Sequence, residues 1–343
     1  MPSEPLPLLQ GWVPITASLR AGSLVADLCL VGARRFREPF FEDSIAACMR
    51  LPFHGVFRHR LDMDMLTRWL QQHPGLPPSG FIFHMSRCGS TLVSQLLAAS
   101  PAHRVISEAG PIDAALRATD GVTAVSEQMR IFWLQTMVGM LGQPGRSEER
   151  RLFIKFDSWH TCLLPLISRA FPGVPWVFMM RDPVQVIVSH LRRPGAQMVP
   201  GLLGFSPPGM DASDAALLSR EEYSARMLGG LCEAAERSLL ADPRHGLIVD
   251  YGGMPGTVDA LVLPHFALSP DAAEREEMAV VWRQDAKSPA FEFTPDSDAK
   301  RHEASEAVRV AAGRWVAPVY QRLLAMTSAR GISVASEGAL DSG

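Results

Sequence analysis

The fold of this chain is decided by residues 81–92, which read FIFHMSRCGSTL. An apolar run with strand character ends in a small polar turn that contains Gly89, and a helical pattern opens at Thr91. A strand, a tight loop and a helix N-terminus form a cradle for a phosphate or a similar oxyanion, because the loop N–H groups and the helix dipole converge on it. The nucleotide-binding pattern GxxxxGK[ST] does not fit this loop, since Arg87 precedes the glycine and no lysine follows it.

Beyond this loop, short apolar runs alternate with helical patterns. Strands are predicted at residues 81–85, 104–106, 152–156, 175–180 and 246–251, and helices lie between them, for example at 126–141, 162–170, 183–191 and 221–240. This alternation predicts an α/β fold, with a parallel sheet covered by helices on both faces. Ligands bind such sheets at the carboxyl ends of the strands, where the candidate residues below are placed.

The first 78 residues precede this alternation. They contain a strand-like run at 28–31, an aromatic cluster and a helical pattern at 61–70, and they show no chemistry. We interpret them as a small α+β extension (1–78) packed on a main domain (79–330), with a flexible tail at 331–343. The glycine- and proline-rich stretch 193–210 is long for a compact domain, so it is either a lid over the substrate or a surface loop.

Composition excludes several classes of protein. The 343 residues carry a formal net charge of −3, which does not favour a nucleic-acid-binding surface. The five cysteines are far apart with no CxxC pair, which argues against a disulfide framework or a zinc site. There is no signal-peptide pattern and no run of about 18 apolar residues to span a membrane. A reduced, cytoplasmic location is therefore expected.

A second anion site is predicted where the apolar run 177–180 ends. Arg181 follows this run, Asp182 can cap the next helix, and Pro183 suits its first position. Ser189 lies eight residues after Arg181. Two anion sites at strand ends fit a nucleotide that carries phosphate at both ends.

These residues resemble sulfotransferases. Residues 86–92, SRCGSTL, look like the 5′-phosphosulfate loop of the enzymes that use 3′-phosphoadenylyl sulfate (PAPS), and residues 180–189 resemble their 3′-phosphate motif. The resemblance covers roughly residues 80–324 and is to the tyrosylprotein and related Golgi- and bacterial-type branch. It implies a P-loop-type fold, PAPS as co-substrate, no metal, and transfer of the sulfuryl group to a hydroxyl or amine.

The resemblance also implies roles for individual residues. Glu108, 21 residues after Arg87, matches the general base, and Lys155, 26 residues before Arg181, matches the lysine that acts on the sulfate. Tyr251 matches a family tyrosine, although Gly252 and Gly253 replace the acidic pair that follows it. The implied catalytic residues are Glu108, Arg87, Lys155 and Ser297. The implied cofactor-binding residues are Arg87, Cys88, Gly89, Ser90, Thr91, Leu92, Arg181, Ser189, Tyr251 and Lys300.

Three alternatives stay open. His160 competes with Glu108 as the base, since cytosolic sulfotransferases use histidine. The second alternative is a small-molecule kinase using ATP and Mg²⁺, which would need Asp250 as its metal-binding acid. The third is a non-catalytic nucleotide-binding module. The acceptor is a small molecule, a lipid or a glycan.

Overall fold

The computed structural model of the chain describes residues 7–119, 125–286, 288–292 and 297–328. The strands in these ranges are β1 (Trp12–Arg20), β2 (Ser23–Leu30), β3 (His59–Asp62), β4 (Pro78–His84), β5 (His103–Ser107), β6 (Arg151–Lys155), β7 (Trp176–Met180), β8 (Gly246–Asp250), β9 (Gln284–Asp285) and β10 (Ser288–Glu292).

The α-helices in these ranges are α1 (Phe41–Met49), α2 (Pro52–Val56), α3 (Met63–Gln72), α4 (Ser90–Ala99), α5 (Gly110–Arg117), α6 (Glu127–Leu141), α7 (Leu164–Ala170), α8 (Pro183–Arg192), α9 (Ala212–Ala216), α10 (Arg220–Ala241), α11 (Leu263–His265), α12 (Ala272–Arg283), α13 (Ser297–Glu303), α14 (Glu306–Trp315) and α15 (Ala317–Ser328). Short 3₁₀ helices lie at Ser158–Leu163, Ala196–Met198 and Tyr251–Gly253, and a π-helical turn lies at Val258–Val262.

Five strands form one parallel sheet in the order β5-β6-β4-β7-β8. All five residues of β7 are buried, as expected for a strand whose two faces are covered by helices. The strand order reverses around β4, so the loop after β4 lies where doubly wound sheets bind their ligands. The predicted α/β class with a parallel sheet flanked by helices is confirmed.

The N-terminal strands are less well predicted than the main sheet. The predicted run at 28–31 lies mostly within β2, which pairs with β1 and β3 in an antiparallel sheet. The sequence did not reveal β1 because Pro14 lies inside it, and its pairing with β2 shifts register between Pro14 and Thr16. A proline inside an apolar run weakens any strand prediction, and a bulge is one of the places where a strand accepts it.

One compact unit comprises Met1–Ile82, Thr91–Pro175 and Pro270–Phe293. In it, the antiparallel sheet packs against α3, α5 and α6 around a core with fully buried Leu28 and Trp133. Of the aromatic cluster expected to form a core, Phe36 and Phe41 are buried and stacked, with ring centroids 5.5 Å apart. Phe53 and Phe57 are instead 42% and 56% exposed.

The N-terminal segment also contacts the C-terminus of α4, the helix that follows the loop after β4. The Arg35 guanidinium donates hydrogen bonds to the carbonyls of Ala98, Ala99 and Ser100 at 2.5, 3.1 and 2.8 Å. Carbonyls at a helix C-terminus have no partner within the helix and carry partial negative charge, so a cation there stabilises the helix.

The other compact unit comprises Phe83–Ser90, Trp176–Ser269 and Thr294–Gly343. Its long helix α10 packs against α8, α14 and α15. Gly229 allows the close contact with α14, because a Cβ there would lie 2.3 Å from the Trp315 carbonyl oxygen. The stretch 193–210 contains the 3₁₀ turn at Ala196–Met198, and Pro208 packs on Gly230 of α10.

The structure does not test two of the predicted domain boundaries. The tail at 331–343 lies outside the described residues, and the division at residue 78 stays a prediction. Among the helices that the structure describes, none combines the length and the apolar character that a bilayer span requires.

Replacing Arg35 with leucine should lower the free energy of unfolding by about 1–3 kcal/mol, because charged donors to three helix carbonyls are lost. Urea denaturation of the purified variant measures this change. Arg37→Leu is the matched control, since Arg37 is exposed and pairs only loosely with Glu277 at 3.6 Å. Equal losses in the two variants would contradict the capping role.

Candidate active site

The loop after β4 has a constrained backbone. Ser86, Arg87 and Gly89 all have positive φ values, of 79°, 53° and 83°. Two hydrogen bonds hold the loop in place. The Ser86 N–H donates to His84 Nδ1 at 3.0 Å, and the Cys88 thiol donates to the Met179 carbonyl at 3.1 Å. The positive φ values show a tight turn, and turns that expose successive backbone N–H groups form anion-binding concavities. The loop therefore has a turn of the kind that an oxyanion cradle uses.

Helix α4 begins within this stretch, as predicted. Ser90 is its first residue, and both Ser90 and Thr91 are buried, whereas Leu92 is half-buried. The Arg87 side chain donates a hydrogen bond to the Arg193 carbonyl at 2.8 Å. This contact ties Arg87 to the start of the stretch 193–210.

Tyr251 packs against both the loop and Arg181. The Arg181 guanidinium carbon lies 4.3 Å from the centroid of the Tyr251 ring, a cation–π contact. A Cβ at position 89 would lie 2.7 Å from Tyr251 Cδ2, so only glycine fits there with this ring in place. The structure thus brings together three predicted cofactor-binding residues: Gly89, Arg181 and Tyr251.

Arg181 itself is buried and fixed in direction. Its Nε donates to Gln185 Oε1 at 2.8 Å, and its backbone N–H faces Met85 Sδ at 3.2 Å. The predicted start of α8 is confirmed, because the Asp182 carboxylate accepts the Val184 N–H at 2.9 Å. An arginine held this way loses little further side-chain freedom when it binds an anion.

The remaining predicted residues of this unit lie on helices. Ser189 is half-buried on α8, two turns after Asp182, and Lys300 is buried on α13. Arg301, next to Lys300, donates from Nε to Asp182 Oδ2 at 3.1 Å. Ser297 is the first residue of α13, and its side chain lies outside what the structure describes.

A second group of predicted residues lies in the unit that contains β5 and β6. The Lys155 ammonium forms an ion pair and hydrogen bond with Glu108 Oε1. The Lys155 side chain is 1% exposed and that of Glu108 is 21% exposed. The Glu108 N–H also donates to the Lys155 carbonyl at 2.7 Å. A buried ammonium needs such an anion, because an unpaired charge is very costly to bury.

Glu108 does not occupy the N-cap position of α5, because Ala109 is the N-cap residue of that helix. Glu108 has a φ of 55°, an uncommon backbone for a non-glycine residue. Its carboxylate is therefore turned to Lys155 and remains partly accessible.

Phe40 is a residue that sequence reasoning missed. Lys155 Nζ lies 5.2 Å from the centroid of its half-buried ring. The first 78 residues were interpreted as having no chemistry, and Phe40 shows that they reach the ion pair. No local signal in the sequence marks this contact, because the two residues are 115 positions apart.

A buried polar network beside the ion pair was also missed. His160 Nε2 lies 2.8 Å from Asp113 Oδ1, and its Nδ1 lies 3.7 Å from Asp157 Oδ2. Trp159 Nε1 donates to the same Asp113 oxygen at 2.7 Å. His160 has no exposed surface and faces a carboxylate on each side, so it is poorly placed to reach an acceptor as the base.

The pKa values of the two acids of this network are shifted in opposite directions. Burial raises the pKa of Asp157 to about 7, against the smaller opposing effect of the His160 charge. Burial also raises the pKa of Asp113, but hydrogen bonds and charge from His160 and the bond from Trp159 outweigh it and lower the pKa to about 2. Two nearby carboxyl groups with separated pKa values are a frequent feature of active sites.

Comparison with known proteins agrees with these features. Residues 78–200 match the family model described as the sulfotransferase family. This segment is similar to the sulfotransferase family. The match confirms the resemblance seen in the sequence and supports a transferase that moves sulfuryl groups. No curated protein matches the chain.

Solved structures with a similar architecture are bacterial sulfotransferases. One from Mycobacterium avium is 14% identical, with 76% of this chain and 80% of that chain covered and a TM-score of 0.42. The sulfotransferase domain of the Synechococcus PCC 7002 olefin synthase is 16% identical, with 76% and 97% covered and a TM-score of 0.41. One from Alicyclobacillus acidocaldarius is 13% identical, with 73% and 96% covered and a TM-score of 0.42. At these low identities and TM-scores, the matches do not assign a function to this chain.

Replacing Gly89 with alanine should lower the free energy of unfolding by about 2–4 kcal/mol, since the new Cβ meets Tyr251 and the residue keeps a positive φ. Gly201→Ala is the control: its φ is 76° and nothing lies within 4 Å of the added Cβ, so only the backbone cost applies. Denaturant titration measures both. The double variant with Tyr251→Ala should recover part of the loss, and equal losses in the two single variants would contradict the close contact.

Proposed function

We propose that this chain is a sulfotransferase that moves the sulfuryl group of PAPS to a hydroxyl or amine acceptor. The observation that carries the proposal is the pairing of Glu108 with buried Lys155, since both residues lie in the segment 78–200 that matches the sulfotransferase family model. A carboxylate and an ammonium are the two groups that this reaction needs, one to take a proton and one to neutralise charge.

The nucleotide is assigned to the loop and to Arg181. The N–H groups of Cys88 to Leu92, with the hydroxyls of Ser90 and Thr91, would hold the 5′-phosphate at the start of α4. Arg181 and Ser189 would hold the 3′-phosphate, the arginine through its planar fork. Tyr251 would stack near the adenine, and Lys300 and Ser297 would complete the cofactor side. The fit is supported by the constrained loop, where glycine is required next to Tyr251.

In the proposed transfer step, these residues account for the proton that moves and for the charge that develops. Glu108 takes the proton as the acceptor oxygen or nitrogen attacks sulfur, the new bond to sulfur forms, and the bond from sulfur to the bridging phosphate oxygen breaks. Adenosine 3′,5′-bisphosphate leaves with the bonding electrons, while Arg87 and Lys155 neutralise the sulfuryl and bridging oxygens. As in phosphoryl transfer, positioning and electrostatics supply most of the rate. The scheme uses no metal.

The kinase alternative depended on Asp250 as a metal-binding acid. The Asp250 carboxylate accepts the Tyr320 hydroxyl at 2.7 Å and the Gly252 N–H at 2.8 Å, so both of its oxygens serve the local structure. This arrangement does not favour ATP and Mg²⁺. The acceptor is proposed to be a small molecule, a lipid or a glycan, and the location to be the cytoplasm.

Glu108→Gln should lower kcat by at least about 10²-fold if Glu108 is the base, while binding of adenosine 3′,5′-bisphosphate stays within about twofold. Release of adenosine 3′,5′-bisphosphate from PAPS in the presence of an acceptor library measures turnover, and calorimetry measures binding. Glu127→Gln is the control, because Glu127 is exposed and paired with Arg169. Unchanged turnover in Glu108→Gln would remove Glu108 from the role of base.

Arg181→Ala should weaken the binding of adenosine 3′,5′-bisphosphate by about 10–150-fold, the loss of charge-assisted hydrogen bonds worth 1.5–3 kcal/mol. The matched control is Arg192→Ala, an exposed arginine at the end of α8, the helix that follows Arg181, and it pairs with Glu303. The comparison nucleotide is adenosine 5′-phosphate, whose affinity should change less. Undiminished affinity for the bisphosphate in Arg181→Ala would contradict the assignment.

A further inference from the structure

An exposed apolar surface lies on the short helix α2 and the residues on either side of it. It is formed by Leu51, Phe53, Val56 and Phe57, and we call it the α2 surface. Twelve large apolar side chains are exposed in the ranges that the structure describes, and four of them fall within these seven residues. No other phenylalanine in those ranges is exposed. Apolar side chains that are exposed singly are ordinary, whereas a group of them marks a surface that contacts something other than water.

The α2 surface is a defined part of the fold. His54, on the same helix, is buried, and its Nδ1 lies 3.3 Å from the Sγ of buried Cys29 in β2. The Phe53 ring lies beside the rings of Trp12 and Phe57, with centroids 6.4 and 4.9 Å away. One side of the helix is therefore packed on the antiparallel sheet, while its exposed apolar side chains face solvent.

Basic residues border this surface. Residues 50–60, RLPFHGVFRHR, contain three arginines, two histidines and no acidic residue, in a chain whose net charge is −3. Arg50 and Arg58 are exposed, and neither takes part in an ion pair with another residue of the described ranges. Arg60 is already paired with Asp27, so its charge is not counted. Along the chain, the apolar side chains thus lie between two arginines whose charges are available.

This combination matches the surface of a bilayer that contains anionic lipids. Apolar side chains enter the boundary between headgroups and acyl chains, and arginines are attracted to the anionic headgroups. A second copy of the chain fits the surface less well. In a twofold dimer the same surface meets itself, so the arginines of the two copies would lie close together and repel.

We infer that the α2 surface docks on anionic lipid bilayers, with Val56 and Phe57 inserted and with Arg50 and Arg58 at the headgroups. The contact is peripheral and reversible, because neither a few apolar side chains nor two arginines anchor a protein stably alone. The inference goes beyond the proposed function and does not depend on it, since none of these residues is assigned to the transfer step.

Cosedimentation with vesicles tests the docking, using the full chain without PAPS. One set of vesicles contains phosphatidylcholine with about one quarter phosphatidylglycerol, and the other contains phosphatidylcholine alone. The apparent affinity should be at least about tenfold higher for the anionic vesicles, because each arginine near an anionic surface contributes about fivefold. Added salt should weaken this preference through screening. Binding to neither set would leave the surface to a protein partner and overturn the inference, and so would equal binding to both sets.

The apolar contribution is tested with the double variant Val56→Ser, Phe57→Ser. Its affinity for anionic vesicles should fall at least about tenfold, because each side chain of this size that leaves water contributes roughly tenfold. The matched control is Leu217→Ser, Val310→Ser, which removes two exposed apolar side chains elsewhere and should bind like the wild type. Equal losses in the two double variants would count against the α2 surface as the point of contact.

The charge contribution is tested with Arg50→Gln, Arg58→Gln. This change should lower the affinity for anionic vesicles by about 20-fold and leave the weak binding to neutral vesicles unchanged. The matched control is Arg244→Gln, Arg283→Gln. Each pair consists of two exposed arginines, one of which donates from Nε to the carbonyl four residues before it. Wild-type affinity in the first double variant, or the same loss in both, would refute the role of these arginines and with it the inference.

Light scattering without lipid distinguishes a second copy of the chain as the occupant. A monomer is expected for both the wild type and Val56→Ser, Phe57→Ser. A wild-type dimer that becomes a monomer in this variant would show that the surface pairs with itself, and would overturn the inference. Circular dichroism should be the same for every variant, because the replaced side chains are exposed. Vesicle binding requires neither PAPS nor an acceptor, so its outcome is independent of whether the chain transfers sulfuryl groups.

Discussion

A lysine whose side chain is 1% exposed must lie beside an anion, and this requirement determines how the chain is organised around Lys155. The anion is Glu108, which adopts a left-handed backbone directly after β5. The pairing of Ser107 with Lys155 in the β5–β6 ladder sets the two groups side by side. The sheet register therefore fixes the position of the ion pair to which the proposed function assigns proton transfer and charge neutralisation.

The surroundings of this pair are built from elements far apart in sequence. Phe40 comes from the N-terminal segment, Asp113 from α5 and His160 from the 3₁₀ helix after β6. The Phe40 ring lies over the Lys155 ammonium, and Asp113 is hydrogen-bonded to the buried His160. Electrostatic interactions are stronger in such surroundings than in water, which is the general basis for concentrating catalytic groups in partly buried sites.

The sequence was sufficient for those features that depend on local signals. Buried strands are continuous apolar runs, the loop after β4 is marked by Gly89, and Asp182 with Pro183 marks the start of α8, so the parallel sheet and the helix starts were predictable. The site residues were suggested by resemblance and spacing. The contacts of His160 with two acids and of Phe40 with Lys155 were not predictable, because they depend on how separate elements pack. Strand β1 was missed because Pro14 interrupts its pattern.

The loop after β4 has a further consequence for recognition. Ser86 and Arg87 adopt left-handed backbone conformations, which are sparsely populated by residues with a Cβ, and the bonds to His84 and Met179 hold them there. The loop thus loses its conformational freedom when the protein folds, and not when a ligand arrives. In the proposed function, an oxyanion would therefore meet a loop whose conformation is already fixed, and the cost of ordering that loop would not reduce its affinity.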